Sequence, residues 1–244
     1  MISMNEIVYK PAGDSGILIQ FGDRIDEDIN RKVSSLCRTL EEHRIKGVMD
    51  MIPSYTSLLV VYDGSVTSYR KVLKKIQRLE SGLTEDGGVK KRIVHHIPVC
   101  YDEAFAPDLK DVAAYAGLSQ EEVIRLHCER EYLIYMLGFL PGFVYLGGLD
   151  QRIACPRLQS PRVKIPVGAV GIGGEQTGIY PLESPGGWRL IGSTPLKVYD
   201  AERKPPILYQ MGEYIKFDPV GRQEYEDITK LVKTGEYQHR IEEK

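Results

Sequence analysis

Residues with distinctive chemistry are thinly spread in this chain of 244 residues. There are four cysteines, Cys37, Cys100, Cys128 and Cys155, and no two of them form a CxxC pair. That spacing argues against common zinc modules and thioredoxin-type redox motifs, and it favours packed thiols in a reducing compartment over disulfides. Of the five histidines only His95 and His96 are neighbours. Adjacent residues on a strand point to opposite faces, so the pair would not chelate one ion, and no metal site is expected. The longest apolar runs, such as Leu58 to Tyr62, fall far short of the ~20 residues that cross a bilayer. Met1 to Lys10 lacks the apolar stretch of a signal peptide. The formal net charge is -2, which gives no reason to expect nucleic acid or an anionic membrane as a partner. The expectation is a soluble cytoplasmic protein. With 42% hydrophobic and 27% charged residues, the chain has the means to build a core.

The first part reads as a ββαββα unit. Ile7–Tyr9 and Ile17–Phe21 are short apolar runs around the turn-forming Pro11-Ala12-Gly13-Asp14. Asp26 is placed to cap a helix whose apolar positions Ile29, Val33, Leu36, Cys37 and Leu40 repeat at helical spacing, with Gly47 as its stop. Val48–Ile52 and Leu58–Tyr62 read as strands, and a second helix from Thr67 or Ser68 carries Val72, Ile76 and Leu79. Two helices on one side of an antiparallel sheet follow from this order. Residues 81–92, with two glycine-containing breaks and mixed charge, read as a linker between a domain at 1–80 and a second at 93–236. The second opens with a strand at Ile93–Val99 and a short helix at Asp108–Ala116 stopped by Gly117. Ser119 to Glu122 then forms a capping box for a helix expected to reach about Tyr135.

Between Gly138 and Gly192 the composition changes. The segment holds 12 of the 24 glycines and 6 of the 14 prolines, but just 8 of the 66 charged residues. Glycine and proline at that density mark tight turns and close backbone approach rather than helix. The runs Val163–Val167, Ala169–Ile172, Gly178–Tyr180, Trp188–Ile191 and, just beyond, Lys197–Tyr199 read as short strands of a barrel or sandwich. Arg157 and Arg162 each sit beside a proline. Two planar guanidinium forks on stiff turns would suit a carboxylate or phosphate, although bracing of loops fits the spacing equally well. The segment has no histidine to serve as a base and no GxSxG around Ser184. Gly173 to Gly178 has the glycine spacing of a P-loop but continues as Ile179-Tyr180, without the lysine and hydroxyl that phosphate and magnesium require. Tyr135, Phe139, Phe143 and Tyr145 are pocket candidates, though core packing is the commoner use of such aromatics.

The string Gly138-Phe139-Leu140-Pro141-Gly142-Phe143-Val144-Tyr145-Leu146-Gly147 resembles a signature of the KipI/PxpB family, which is related to allophanate hydrolase subunit 1. Pro156-Arg157, Pro161-Arg162, Ile165 to Val170, Gly174 to Pro181 and Ser184 to Trp188 follow in that family's order, and Pro11 to Asp14 also fits. The resemblance implies an α+β chain, a small N-terminal α/β domain followed by a cyclophilin-like β-barrel. It implies the B-type component of a bacterial ATP-dependent 5-oxoprolinase, inactive alone, which opens 5-oxoproline to L-glutamate together with a PxpC/KipA-like subunit and a PxpA (LamB/YcsF-like) subunit. ATP would be used by the complex at a site on or shared with those partners, and this chain would hold neither metal nor biotin. The other role in the family is inhibition of autophosphorylation of a sporulation histidine kinase. Either role would use a groove formed by Pro141, Phe143, Tyr145, Arg157, Arg162, Gln176, Thr177, Tyr180 and Trp188, the arginines clamping anions and the aromatics anchoring a partner. Two departures from the pattern are Ala106 for a glycine and Ser193 where many relatives carry arginine.

Overall fold

The computed structural model describes residues 7–82 and 92–244. Two compact units emerge, Met1–Lys90 and Lys91–Lys244. Most of the linker expected at 81–92 lies outside the described residues.

The first unit runs β1 (Val8–Ala12), β2 (Gly16–Gln20), α1 (Glu27–His43), β3 (Val48–Pro53), β4 (Ser57–Tyr62) and α2 (Tyr69–Glu80). Its sheet is antiparallel in the order β1-β2-β4-β3. Strand alternation turns Ile17, Ile19, Leu58 and Val60 inward, where they meet Val33, Leu36 and Leu40 of α1 and Val72 and Ile76 of α2 in the buried core. The Asp26 carboxylate accepts from the amides of Asp28 and Ile29, so the helix start follows the capping chemistry read from the sequence. The stop does not. Helix α1 ends at Arg44, which takes a left-handed φ of 40°, three residues before Gly47. The earlier turn lets Ile45 fold back into the core, where it is 8% exposed. Asn30, buried in α1, donates through Nδ2 to the carbonyls of Ser54 and Tyr55 at 3.2 and 3.3 Å and ties the helix to the β3–β4 turn.

The second unit contains β5 (Ile93–Cys100), α3 (Leu109–Ala116), α4 (Gln120–Glu129), β6 (Glu131–Leu137), β7 (Val144–Gly147), β8 (Arg162–Ile165), β9 (Ala169–Gly173), β10 (Gln176–Ile179), β11 (Ser184–Gly186), β12 (Arg189–Ser193), β13 (Tyr214–Val220), α5 (Arg222–Thr234) and β14 (Ile241–Glu243). The strand order β12-β9-β10-β7-β6-β13-β5 closes on itself where Ser193 of β12 pairs with Cys100 of β5. The result is a seven-stranded barrel. Strand β14 adds to the outer edge of β5, so the sheet draws in residues beyond the 236 boundary read from the sequence. Strands β8 and β11 form a separate two-stranded ribbon.

Helix α4 is shorter than its periodicity suggests. It ends at Glu129 and the chain enters β6 instead of continuing to Tyr135. Tyr132, Leu133, Ile134 and Tyr135 are all buried in succession, a pattern that a strand covered on both faces satisfies and a surface helix cannot. Lys197–Tyr199 is not a strand. It contributes a single bridge, Tyr199 to Ile207.

Inside the barrel, Val144, Leu146, Val170, Ile172, Ile179, Ile191, Ile215 and Phe217 are fully buried. A second cluster, Phe143, Ile165, Ala169, Tyr180, Trp188 and Leu190, is separate from this interior. The alternation explains the division. On β12 Ile191 belongs to the interior and its neighbour Leu190 to the second cluster, so the second cluster lies on the barrel's outer surface.

Candidate functional site on the outer face of the barrel

Glycines build the floor of this outer cluster. On β9 and β10 the positions alternate with the interior residues Val170, Ile172 and Ile179, and those facing outward include Gly171, Gly173 and Gly178. Gly171 pairs directly with Gly178. The indole of Trp188 lies across them. A Cβ on Gly173 would stand 2.5 Å from indole Cδ1, and one on Gly178 would stand 3.1 Å from Cζ3. The glycine density of this stretch therefore reflects the space taken by one large aromatic ring.

Around the indole the other aromatics stand edge to face. Phe143, Tyr145 and Tyr180 meet Trp188 at 5.5, 6.3 and 6.4 Å between centroids and at 77°, 76° and 85° respectively. Such geometry stabilises aromatic pairs beyond the area they bury. Phe139 extends the group outward, 63% exposed, with a φ of 65° and its ring 5.5 Å from that of Phe143. The loop that carries it is held where the Tyr209 hydroxyl donates to the carbonyl of Gly142 at 3.0 Å.

Arg157 is the cation of the site. It is exposed, and its guanidinium lies 5.8 Å from the centre of the Trp188 ring. Among the described residues it has no carboxylate partner. Burial pushes the Tyr145 and Tyr180 hydroxyls above their ordinary pKa, and the charge of Arg157 partly offsets both shifts, which places it within electrostatic reach of each.

The other residues named from the sequence are placed differently. Arg162 does not form a free pair with Arg157. Its Nη2 donates to Asp108 Oδ1 at 2.7 Å, while Asp108 Oδ2 accepts from the Leu190 amide at 2.6 Å. Arg162 thus braces the β8–β11 ribbon against the start of α3, and Asp108 makes no side-chain capping bond to that helix. The loop-bracing use of an arginine is realised at this position. Among the described residues Nη1 of Arg162 is buried without a hydrogen-bond partner.

Thr177 points into the barrel. Its hydroxyl donates to the Gly171 carbonyl at 3.1 Å and lies 2.8 Å from His127 Nε2. Burial pushes His127 down to about 3, so the ring is neutral and carries one proton. With the Thr177 proton spent on Gly171, Nε2 must donate, and Nδ1 accepts from the Tyr101 hydroxyl at 2.7 Å. Every donor along this relay is used, which leaves Thr177 unavailable to a ligand. Gln176 is half-buried at the β9–β10 tip and Pro141 is exposed in the Phe139 loop. The glycine run resembling a P-loop is this tight hairpin, with Gly174 at φ 67°. Ser193 sits in the barrel seam, its hydroxyl 3.2 Å from that of Tyr225 in α5.

Residues that the sequence reading did not single out complete the site: Ile165, Ala169 and Leu190 in the cluster, Leu140 against it, and Asp108 behind Arg162. The alternation of β9 and β12 carried the signal for Ala169 and Leu190. Nothing local could reveal that Asp108 meets a residue 54 positions away. Among the described residues no group of three or more His, Cys, Asp or Glu stands where it could hold a metal ion.

Residues 7–209 match the family model of the carboxyltransferase domain, subdomain C and D. The chain belongs to this family. It is 44% identical over 223 residues to the B-subunit of the Bacillus subtilis 5-oxoprolinase, covering 87% of this chain and 92% of that protein. It is 36% identical to the 5-oxoprolinase B-subunit of Escherichia coli O157:H7, covering 85% and 93%. The solved structure of the Kluyveromyces lactis urea amidolyase superposes with a TM-score of 0.80 at 24% identity. That likeness concerns the fold, and it spans 98% of this chain but 16% of the much longer enzyme. The α/β unit and the barrel are thus the architecture of the family that the sequence motifs resemble.

Proposed function

We propose that this chain is the B-type component of a 5-oxoprolinase, a non-autonomous part of a complex that opens the 5-oxoproline lactam to glutamate at the expense of ATP. The observation that carries the reading is Arg157, an unneutralised cation beside a glycine-floored aromatic face, in a chain that matches 5-oxoprolinase relatives along nearly their whole length. 5-Oxoproline is a small flat ring bearing a carboxylate. The half-buried ring of Tyr145, at the edge of the cluster beside Arg157, can take the ring, and a planar guanidinium can take the carboxylate through two parallel bonds.

The chain's own residues supply binding and orientation. The rings of Phe143, Tyr145 and Trp188 pack behind the exposed Arg157, and a charge-assisted contact to its guanidinium is stronger than a neutral hydrogen bond. Hydrolysis of an unactivated amide needs a better leaving group, which is the chemistry that ATP supplies. No described residues of this chain form a phosphate loop, so ATP belongs on partner subunits of the PxpC/KipA-like and PxpA types. The kinase-inhibitor role has no comparable observation in its favour.

The test is reconstitution. The purified chain is assayed for ATP-dependent glutamate release alone and after coexpression with the other two subunits. Turnover is expected only in the coexpressed set and is lost when this chain is omitted. Full turnover without this chain contradicts the proposal.

A further inference from the structure

Helix α2 carries five basic side chains in 12 residues, Arg70, Lys71, Lys74, Lys75 and Arg78, and all five are exposed. Among the described residues none of them makes an ion pair. The helix's one acidic residue, Glu80, is near the Tyr9 hydroxyl, 3.4 Å away. Other helices of the same chain neutralise part of their cations internally. Arg125 of α4 bonds Glu122 and Glu129, each at 2.7 Å. In α5 Arg222 meets Glu226 and Lys230 meets Asp227, and in α1 Arg31 meets Asp28.

Helix α2 does the reverse. Residues 70 and 74, 71 and 75, and 74 and 78 are like-charged pairs one turn apart, an arrangement that destabilises a helix. Arg70 and Lys71 also stand in the first turn, against the positive end of the helix dipole, with no acidic residue there to offset them. Buried Val72 and Ile76 hold the helix to its sheet in spite of this. A local rule broken with no compensating contact among the described residues marks a position kept for another purpose.

We propose that α2 is the docking face for an acidic segment of a partner protein. The cations span about 12 Å at 1.5 Å per residue, the reach of roughly four residues of extended chain. The remaining exposed side chain on this face is Gln77, so the stripe lacks the large apolar groups that enter a membrane and the aromatics that stack on bases. A net charge of -2 for the whole chain also argues for a local contact over a nucleic-acid track. The inference rests on the reading of this chain as a subunit that works with partners.

A fluorescein-labelled ten-residue peptide of Glu and Asp is titrated with the full chain and followed by anisotropy at low and moderate salt. The parent is expected to bind it in a salt-sensitive manner. Lys71→Glu/Lys74→Glu/Lys75→Glu is expected to weaken binding by at least about tenfold, as three charge-assisted contacts become repulsive. This variant should melt no lower than the parent, because the reversal relieves repulsion within α2. Lys71→Gln/Lys74→Gln/Lys75→Gln, which removes charge without adding any, should fall between the two. Absence of peptide binding, or equal binding by all three proteins, overturns the proposal. So does tighter binding of the parent to a single-stranded oligonucleotide of equal charge or to phosphatidylserine vesicles. The assay needs no turnover, so its failure leaves the 5-oxoprolinase reading standing, and the converse also holds.

Discussion

Trp188 is the single tryptophan of the chain and it lies on the glycine floor of the candidate site, 4% exposed. Its fluorescence therefore reports on that site alone. Gly173→Ala places a methyl group against the indole. Overpacking of this kind costs about 1–3 kcal/mol. The expected result is a red-shifted emission with a lowered melting temperature, and an unchanged spectrum would show that the floor is not as tight as described. Asp108→Asn tests the brace behind the site. It leaves the Arg162 fork without its carboxylate, and breaking a buried pair costs about 3 kcal/mol, less where one partner is partly solvated. Arg162 is 30% exposed and Asp108 5%, so a loss of about 2 kcal/mol in urea denaturation is expected. Arg157→Ala, in contrast, removes an exposed side chain and should leave stability within about 0.5 kcal/mol of the parent. These residues also show what a sequence conveys at this scale. Phe143, Tyr145 and Arg157 stand out by type and setting, Tyr180 and Trp188 only through the family resemblance, and the fold places all five close together. Thr177 and Arg162 look equivalent to them in sequence, yet strand alternation turns one inward and a distant carboxylate claims the other.

Elements were legible where capping and periodicity were strong. Asp26 starts α1, Ser119 starts α4 and Gly117 ends α3 through local chemistry alone. The α4–β6 boundary was not legible, because an unbroken apolar run from Tyr132 to Tyr135 satisfies a buried strand and a helix alike. Helix α5 did carry a signal, with Tyr225, Ile228 and Val232 at helical spacing. Strand β14 carried none, since three residues of mixed polarity become a strand only when β5 is there to receive them.

That terminal strand makes a prediction about pH. His239 Nε2 lies 3.0 Å from His95 Nδ1, and His95 Nε2 lies 2.8 Å from Glu213 Oε2. His96, on the other face of β5, reaches Asp218 of β13 and Glu242 of β14. Burial, with His95, Arg203 and His96 nearby, pushes His239 down to about 4 from 6.5. A depressed histidine binds fewer protons folded than unfolded, so its contribution is present above pH 6.5 and is lost as pH falls toward 4. Exchange protection at the His96 amide, which donates to Arg240, and at the Lys244 amide, which donates to Arg92, should therefore fall across that interval. Constant protection factors would contradict the assignment of His239 as a neutral, half-buried anchor.

At the scale of the whole molecule, the barrel's interior gives stability and its exterior carries the candidate site. The motif order reveals the family, and hence the architecture, from sequence alone. It cannot reveal which face of the barrel is used, because that depends on the closure of β12 on β5 and on the register of β9 with β10. The account places substrate recognition at Arg157 over Trp188 and assigns ATP to partner subunits. The most direct measurement is steady-state kinetics of the coexpressed complex carrying Arg157→Ala, with 5-oxoproline as the varied substrate at saturating ATP. The predicted result is a KM for 5-oxoproline raised by about tenfold or more, as expected for loss of a charge-assisted clamp, with the KM for ATP unchanged and partial recovery in Arg157→Lys. Parental kinetics for 5-oxoproline in the Arg157→Ala complex would contradict it.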